Sequence, residues 1–273
     1  MIAHNGKQVT IAMRGRKPIN LIARNGKVMF GDFSAISEAA KAVILAEYGL
    51  VVWGDVRDYA KAHPAIVPFI NQDPHLACSI STNSNKERWL VGDGKAYIKT
   101  DIVAPNGHRA RYKFKIPTNA SKGYFVGIHE TAPPYYAQVV YWTGSQLQFG
   151  HYNQFPDVYA ATKGNTYEID GDWRGTTAKL SVNGSVVADT ADSNPKSQTE
   201  PICVFTCGYG IKMGFIIPGE ITPIFIEMED GTEHHLLPTI HQGQAGMVDA
   251  ISGTFHPNAN TEGAFTIQIT DKQ

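Results

Sequence analysis

Cysteine is scarce: Cys78, Cys203 and Cys207 are the only three in 273 residues. They are too few and too unevenly placed for a disulfide framework, and they lack the close pairs of a zinc site, so buried free thiols are expected. Long apolar runs are also missing. None approaches the roughly 20 residues needed to span a bilayer, and Met1 is followed by a polar stretch rather than a signal-peptide core. The sequence therefore predicts assembly in a cytosol without membrane insertion. Charge is sparse and balanced, with 24 basic and 25 acidic residues and a net charge of -1. A nucleic-acid partner is not expected of such a chain, because binding a polyanion needs a basic footprint. The local exception is the basic group Arg14, Arg16, Lys17, Arg24 and Lys27, which is read as solvated, with an acidic partner surface as the alternative. No Ser-His-Asp order, phosphate-cradling glycine loop or dinucleotide motif stands in a strand-to-helix context, so no cofactor is expected.

What is present is the vocabulary of strands and turns: 26 Gly, 15 Pro, 12 Phe, 12 Tyr and 4 Trp. The chain suits one large β domain with a smaller appendage. Short strands are predicted at 9–13, 19–23 and 28–30, with Asn5-Gly6 and Asn25-Gly26 as tight hairpin turns. Three such strands bury too little to stand alone and need a partner surface. From Ser34 to Tyr48 the residues Ile36, Ala39, Ala40, Val43, Ile44 and Glu47 recur at helical spacing, with Ser34 as cap and Gly49 as stop. A second helix is predicted over 55–62, ending before Pro64, and 71–88 reads as a linker. From Trp89 the texture alternates. Twelve strands are predicted, with Asn183-Gly184 and Asp230-Gly231 turning two hairpins. The implied organisation is a β segment at 1–32, a helical segment and linker at 33–86, and a β sandwich at 87–273.

Particular residues carry a resemblance. The run Trp89-Leu-Val-Gly-Asp-Gly-Lys-Ala-Tyr-Ile-Lys-Thr-Asp101 is similar to the opening strand of concanavalin A-like, laminin-G-type domains from tailed phages of gut bacteria, crAss-like phages among them. The closing stretch resembles the same family: Leu236-Leu237-Pro238, Gly246-Met247-Val248-Asp249, Ile251-Ser252-Gly253-Thr254-Phe255, Asn258 and Gly263-Ala264-Phe265-Thr266. Between them, Tyr167-Glu168-Ile169 and Val182-Asn183-Gly184 match a middle hairpin. The leader from Met1 to Lys7, followed by Gly15-Arg16-Lys17, resembles virion surface proteins of those phages. The resemblance implies a mainly β jelly-roll sandwich, preceded by a small β unit and a short helical segment. It also implies a virion structural role, such as a head or tail fibre, decoration or adaptor subunit, in a homo-oligomer contacting other virion proteins and host surface glycans. A purely structural capsid or tail component is the plainer alternative. The first thirty residues would then attach the protein through Ile11, Met13, Ile19, Leu21, Val28 and Phe30.

An enzymatic alternative rests on Glu168-Ile169-Asp170-Gly171-Asp172, because glycanases that share the fold carry a Glu-x-Asp-x-Glu strand. Alternation places Glu168, Asp170 and Asp172 on one face, as a depolymerase using Glu168 and Asp170 requires. Against it, the last acid is one methylene shorter and Gly171 weakens the strand. His234 and His235 point to opposite faces of a strand and His241 lies beyond Pro238, which disfavours a metal site. Asp189, Asp192 and Asn194 share a loop of the kind that holds calcium, but are read as solvated. Aromatic residues crowd between Tyr124 and Tyr159. Of these, Tyr135, Tyr136, Trp142 and Tyr152 are the candidates for stacking on sugar rings, and no catalytic residue is expected.

Overall fold

The computed structural model describes residues 36–132, 136–152, 154–191 and 198–272 and, before them, the backbone of six short strands. Those strands pair as three antiparallel hairpins: Ile2–His4 with Lys7–Val9, Ala12–Arg14 with Lys17–Ile19, and Leu21–Arg24 with Lys27–Phe30. The predicted strands at 9–13 and 19–23 are thereby corrected, because the paired stretches end at Val9 and Ile19 and new ones begin at Ala12 and Leu21. Of the proposed attachment residues, Ile11 lies outside the described residues. So do the side chains of Met13, Ile19, Leu21, Val28 and Phe30.

The helical segment is longer and better packed than its sequence suggests. One helix runs Glu38–Ala62, capped by Ser37, whose hydroxyl accepts the Ala40 N–H at 3.2 Å. Gly49, at φ 85° and ψ 177°, kinks this helix instead of ending it, and the turn leaves Leu50 and Val51 exposed. Beyond it, Pro64–Ile66, Val67–Gln72, Pro74–Leu76 and Ala77–Ile80 form successive helical turns, so the predicted linker at 71–88 is largely helix and strand. Prolines that read as breakers here occupy first-turn positions, where a missing N–H costs nothing. Ile44, Val56, Ile66, Ile70 and Leu76 pack as one cluster against Leu237, Val248 and Ala250 of the sandwich. A buried ion pair fastens the same junction. Arg88 grips Asp73 through two nitrogens, one at 3.0 Å, and Asp73 also accepts the Thr239 hydroxyl and the Ile240 N–H, both at 3.1 Å.

The remainder is the mainly β jelly-roll sandwich that the sequence predicts. The smaller sheet has the order 157–160, 146–152, 137–142, 123–129, 201–204, 98–103. The larger runs 185–191, 177–182, 166–172, 108–115, 224–228, 233–241, 244–249, 255–257, with 219–221, 86–92 and 265–271 as a branch, and every ladder is antiparallel. Period-two alternation decides the faces. In His108–Lys115, Ala110, Tyr112 and Phe114 enter the core, while Arg109, Arg111, Lys113 and Lys115 stand outside. Phe114 stacks on Phe125 of the facing sheet with centroids 3.8 Å apart. The Asn183-Gly184 turn has both residues at positive φ, 52° and 76°, as a type I′ hairpin requires. At Asp230-Gly231 the hairpin forms with one more loop residue than a two-residue turn: Met228 and Thr232 close it, and Gly231 takes the left-handed position at φ 81°.

The opening and closing motifs meet in space. Asp93 accepts N–H bonds from Lys95, Ala96 and Ala264, all at 2.8 Å. Asn258 accepts the Tyr97 N–H and donates to the carbonyls of Asn260 and Gly263. A Cβ on Gly263 would sit 2.2 Å from the Ala96 nitrogen, so only glycine allows this approach. Asp249 does similar work at the last corner: it accepts from His234 Nδ1 at 2.9 Å and from the His235 and Ile251 N–H groups at 3.1 Å. Burial pulls its pKa upward, but the hydrogen bonds from His234, Ser252 and Ile251 prevail and hold it at about 2.

Candidate functional site

The acidic strand Thr166–Asp172 does place Glu168, Asp170 and Asp172 on the outer face of the larger sheet. Two of the three are already occupied. Arg109 forks onto Asp170 at 2.8 and 2.6 Å, and Arg174 forks onto Asp172 at 2.9 and 2.8 Å while also contacting Glu227. Burial raises the Asp172 pKa, yet the bonds from Arg174 keep it below the usual carboxylate range. A retaining glycosidase needs a free nucleophile and a second carboxyl held protonated as acid. Here Glu168 is the one carboxylate of the three with no hydrogen bond or ion pair to its side chain among the described residues.

Glu168 belongs to a groove. Its floor is a row of cross-strand neighbours, Arg111 opposite Phe225 and Phe225 opposite His235, while Asp170, outside the groove, stands on the other side of Arg111. Because Asp170 has turned to Arg109, the exposed Arg111 guanidinium has no acidic partner among the described residues. The half-buried Phe225 ring lies beside it, edge-on to His235 at 5.0 Å. Residues 78–82 and Lys272 wall this depression of about 670 Å³. His235 bonds Tyr59 Oη through Nδ1 at 2.7 Å, and burial, then the charge of His63, holds its pKa below the ordinary value. The His235 imidazole is therefore neutral at neutral pH. A second depression of about 640 Å³ adjoins the first and shares Glu87 and Lys113 with it.

The predicted sugar-stacking residues fare differently. Trp142 is corrected: it is 0% exposed in the core between the sheets, among Leu147, Phe149 and Val140, and offers no ring face to a ligand. Tyr135 and the side chain of Tyr152 lie outside the described residues, and Tyr136 is half-buried. The aromatic density between Tyr124 and Tyr159 divides across the smaller sheet. Trp142 and Phe149 face the core, whereas Tyr124, Tyr141 and Phe155 gather outside with Tyr209 and Phe215. In that outer cluster Tyr124 and Tyr141 approach to 4.6 Å, and the Lys122 ammonium sits 4.4 Å over Phe215. The histidines go to separate partners, His234 to Asp249, His235 to Tyr59 and His241 to Gln72. No group of three metal-ligating side chains occurs among the described residues. Asp189 pairs with Lys179 at 3.1 Å, while Asp192 and Asn194 lie outside those residues. The three thiols are buried and free, and burial pushes Cys78 up to about 11 and Cys203 up to about 12. No described helix is long and apolar enough to cross a membrane.

Sequence reasoning missed Arg111 and Phe225. The alternation of 108–115 could have put Arg111 outside, but nothing in that stretch shows that its neighbour would take Asp170.

Comparison with known proteins adds the company the sandwich keeps. No family model matches the chain, and no curated protein matches it in sequence. A solved protein from Bacteroides ovatus, described as a carbohydrate binder, is similar at TM-score 0.49 and 11% identity, covering 68% of this chain and 60% of that one. A heptameric SAP-like pentraxin from Limulus polyphemus is similar at TM-score 0.46 and 10% identity, over 68% and 96%. The alginate lyase Aly36B is similar at TM-score 0.31 and 15% identity, over 55% and 81%. At these values none of them argues for a ligand or a reaction.

Proposed function

We propose that this chain is a non-catalytic, glycan-binding surface protein of a virion, and that its ligand lies in the groove over the larger sheet. The binding part is carried by one observation: in a solvent-open depression the Arg111 guanidinium stands beside the half-buried Phe225 ring and the Glu168 carboxylate lines the same space from the next strand, neither charge with an ion-pair partner among the described residues. A sugar presents apolar C–H faces and pairs of hydroxyls. A ring takes the first, and a carboxylate and a guanidinium take the second as acceptor and donors. Desolvating these two charges is worthwhile only when a ligand supplies such bonds. The locked Asp170 and Asp172 support binding without cleavage. The virion role rests on the resemblance of the opening and closing blocks and of the leader.

Affinity electrophoresis of the full chain through gels containing neutral or acidic bacterial polysaccharides tests this reading. Retardation is expected in at least one gel, lost in Arg111→Ala and Phe225→Ala, with no reducing ends released. Migration unaffected by every polysaccharide overturns glycan binding, and sugar release that disappears in Glu168→Gln makes the protein a depolymerase.

A further inference from the structure

We propose that the groove holds a linear oligosaccharide along its length, through interior units of the chain, and not a single terminal sugar. This rests on the glycan-binding reading and specifies its ligand. The two depressions, of about 670 and 640 Å³, meet at the Lys113–Glu87 ion pair, which both share. They are displaced along the same strand. Arg111 belongs to the first and Lys115 to the second, four residues or about 13 Å apart in an extended chain.

The chemistry of the two halves differs in a way that suits successive units of one polymer. The first half has the ring and the unpaired charges. In the second half the ions are paired, Lys113 with Glu87 and Lys115 with Glu220, each at 2.8 Å. An ammonium with one carboxylate partner keeps two further N–H donors, so this floor still bonds hydroxyls without a buried lone charge. Its rim carries neutral groups: the exposed Asn165 amide and Thr166 hydroxyl bond to no partner among the described residues. The strand beneath them is held by Asn183, whose Oδ1 accepts the Glu168 N–H at 2.9 Å, so the rim is fixed before a ligand arrives. Trp89 and Tyr167, two large rings under this half, are buried and turned to Thr270 and Thr162, and the half-buried Tyr159 packs edge-on against Tyr167 at 5.9 Å, so the surface left is mainly polar. Such a surface adds hydrogen bonds to a chain anchored elsewhere.

Isothermal titration of the full chain with linear β-glucan, xylan, mannan and polygalacturonate fragments, disaccharide to octasaccharide, tests the proposal. Affinity for the bound type is expected to rise about tenfold from disaccharide to hexasaccharide, the yield of one or two added hydrogen bonds. In the double variant Asn165→Ala/Thr166→Val the hexasaccharide should fall to disaccharide affinity while the disaccharide is unaffected. Arg111→Ala should weaken both. The two rim residues are exposed, and an unchanged melting curve confirms that the fold persists. Affinity that stops rising at the disaccharide, or a hexasaccharide insensitive to the rim variant, overturns the linear-chain inference while leaving glycan binding intact. Failure of every fragment to bind, at any length, removes the underlying reading as well.

Discussion

Replacing Arg88 by Met should destabilise the whole protein, because the ion pair it breaks joins the helical segment to the sandwich. Arg88 is 1% exposed and Asp73 6%, so neither charge has bulk water to fall back on. In the variant, Asp73 keeps two hydrogen bonds, from Thr239 and Ile240, and loses both nitrogens that neutralise it. Removing one partner of a buried pair costs about 3–5 kcal/mol, a large part of the roughly 5–15 kcal/mol that holds a domain folded. Replacing both partners, as Arg88→Met/Asp73→Leu, removes the stranded charge and should return most of that loss. Urea unfolding followed by tryptophan fluorescence reads the change. Trp53 reports from the helical cluster and Trp142 and Trp173 from the sandwich core, so one shared transition is expected. A loss below about 1 kcal/mol in Arg88→Met, or a double variant no better than the single one, would refute the assignment of the pair as the clamp.

Acid should lower the protein's stability in two stages. Burial holds the His129 imidazole at about 4, below its ordinary 6.5, so the native state binds its proton later than the unfolded chain. Its contribution is complete above pH 6.5 and is lost between 6.5 and 4, worth about 3 kcal/mol, and His129→Gln should flatten that limb of a stability–pH curve. Asp249, held at about 2, contributes above its ordinary value and loses roughly 1–2 kcal/mol as pH falls from about 4 to 2. A flat melting temperature from pH 7 to pH 4 contradicts the first stage. Trp142→Ala should cost about 3–5 kcal/mol by calorimetry, because the ring is in the core, whereas Phe225→Ala should cost far less and abolish glycan retardation; equal losses would misplace one of them. Deleting residues 1–31 should leave a folded, soluble sandwich that no longer oligomerises, as judged by sedimentation. Unchanged assembly would move attachment elsewhere, and unfolding would make the hairpins part of this chain's own core.

Much of the fold was legible because its signals are local. Alternation in 108–115 and the Asn183-Gly184 turn depend on side-chain period and on positive φ, which neighbouring residues decide. The helical segment was half legible. Its first periodicity was clear, but Pro64, Pro68 and Pro74 carry two meanings, break or first turn, and only packing against Leu237 and Val248 selects the second. Trp142 was illegible for a related reason. Its strand is apolar on both sides, since the outer face of the smaller sheet is itself covered by Tyr124, Phe155 and Phe215, so alternation could separate two faces without saying which one is inside.

The candidate site shows the same division. By itself the sequence determined that Glu168, Asp170 and Asp172 share one face of their strand, and the same two-residue period sets Arg109, Arg111 and Lys113 on one face of theirs. Which arginine would meet which acid was decided only when the two strands paired in register, Asp170 opposite Arg111 but within reach of Arg109. The fork onto Asp170 leaves Arg111 without an acidic partner among the described residues, and a third strand, distant in sequence, sets Phe225 beside it. Residue types and faces follow from local backbone geometry, whereas an unpaired charge depends on the position of every possible partner, and that is fixed only by tertiary packing.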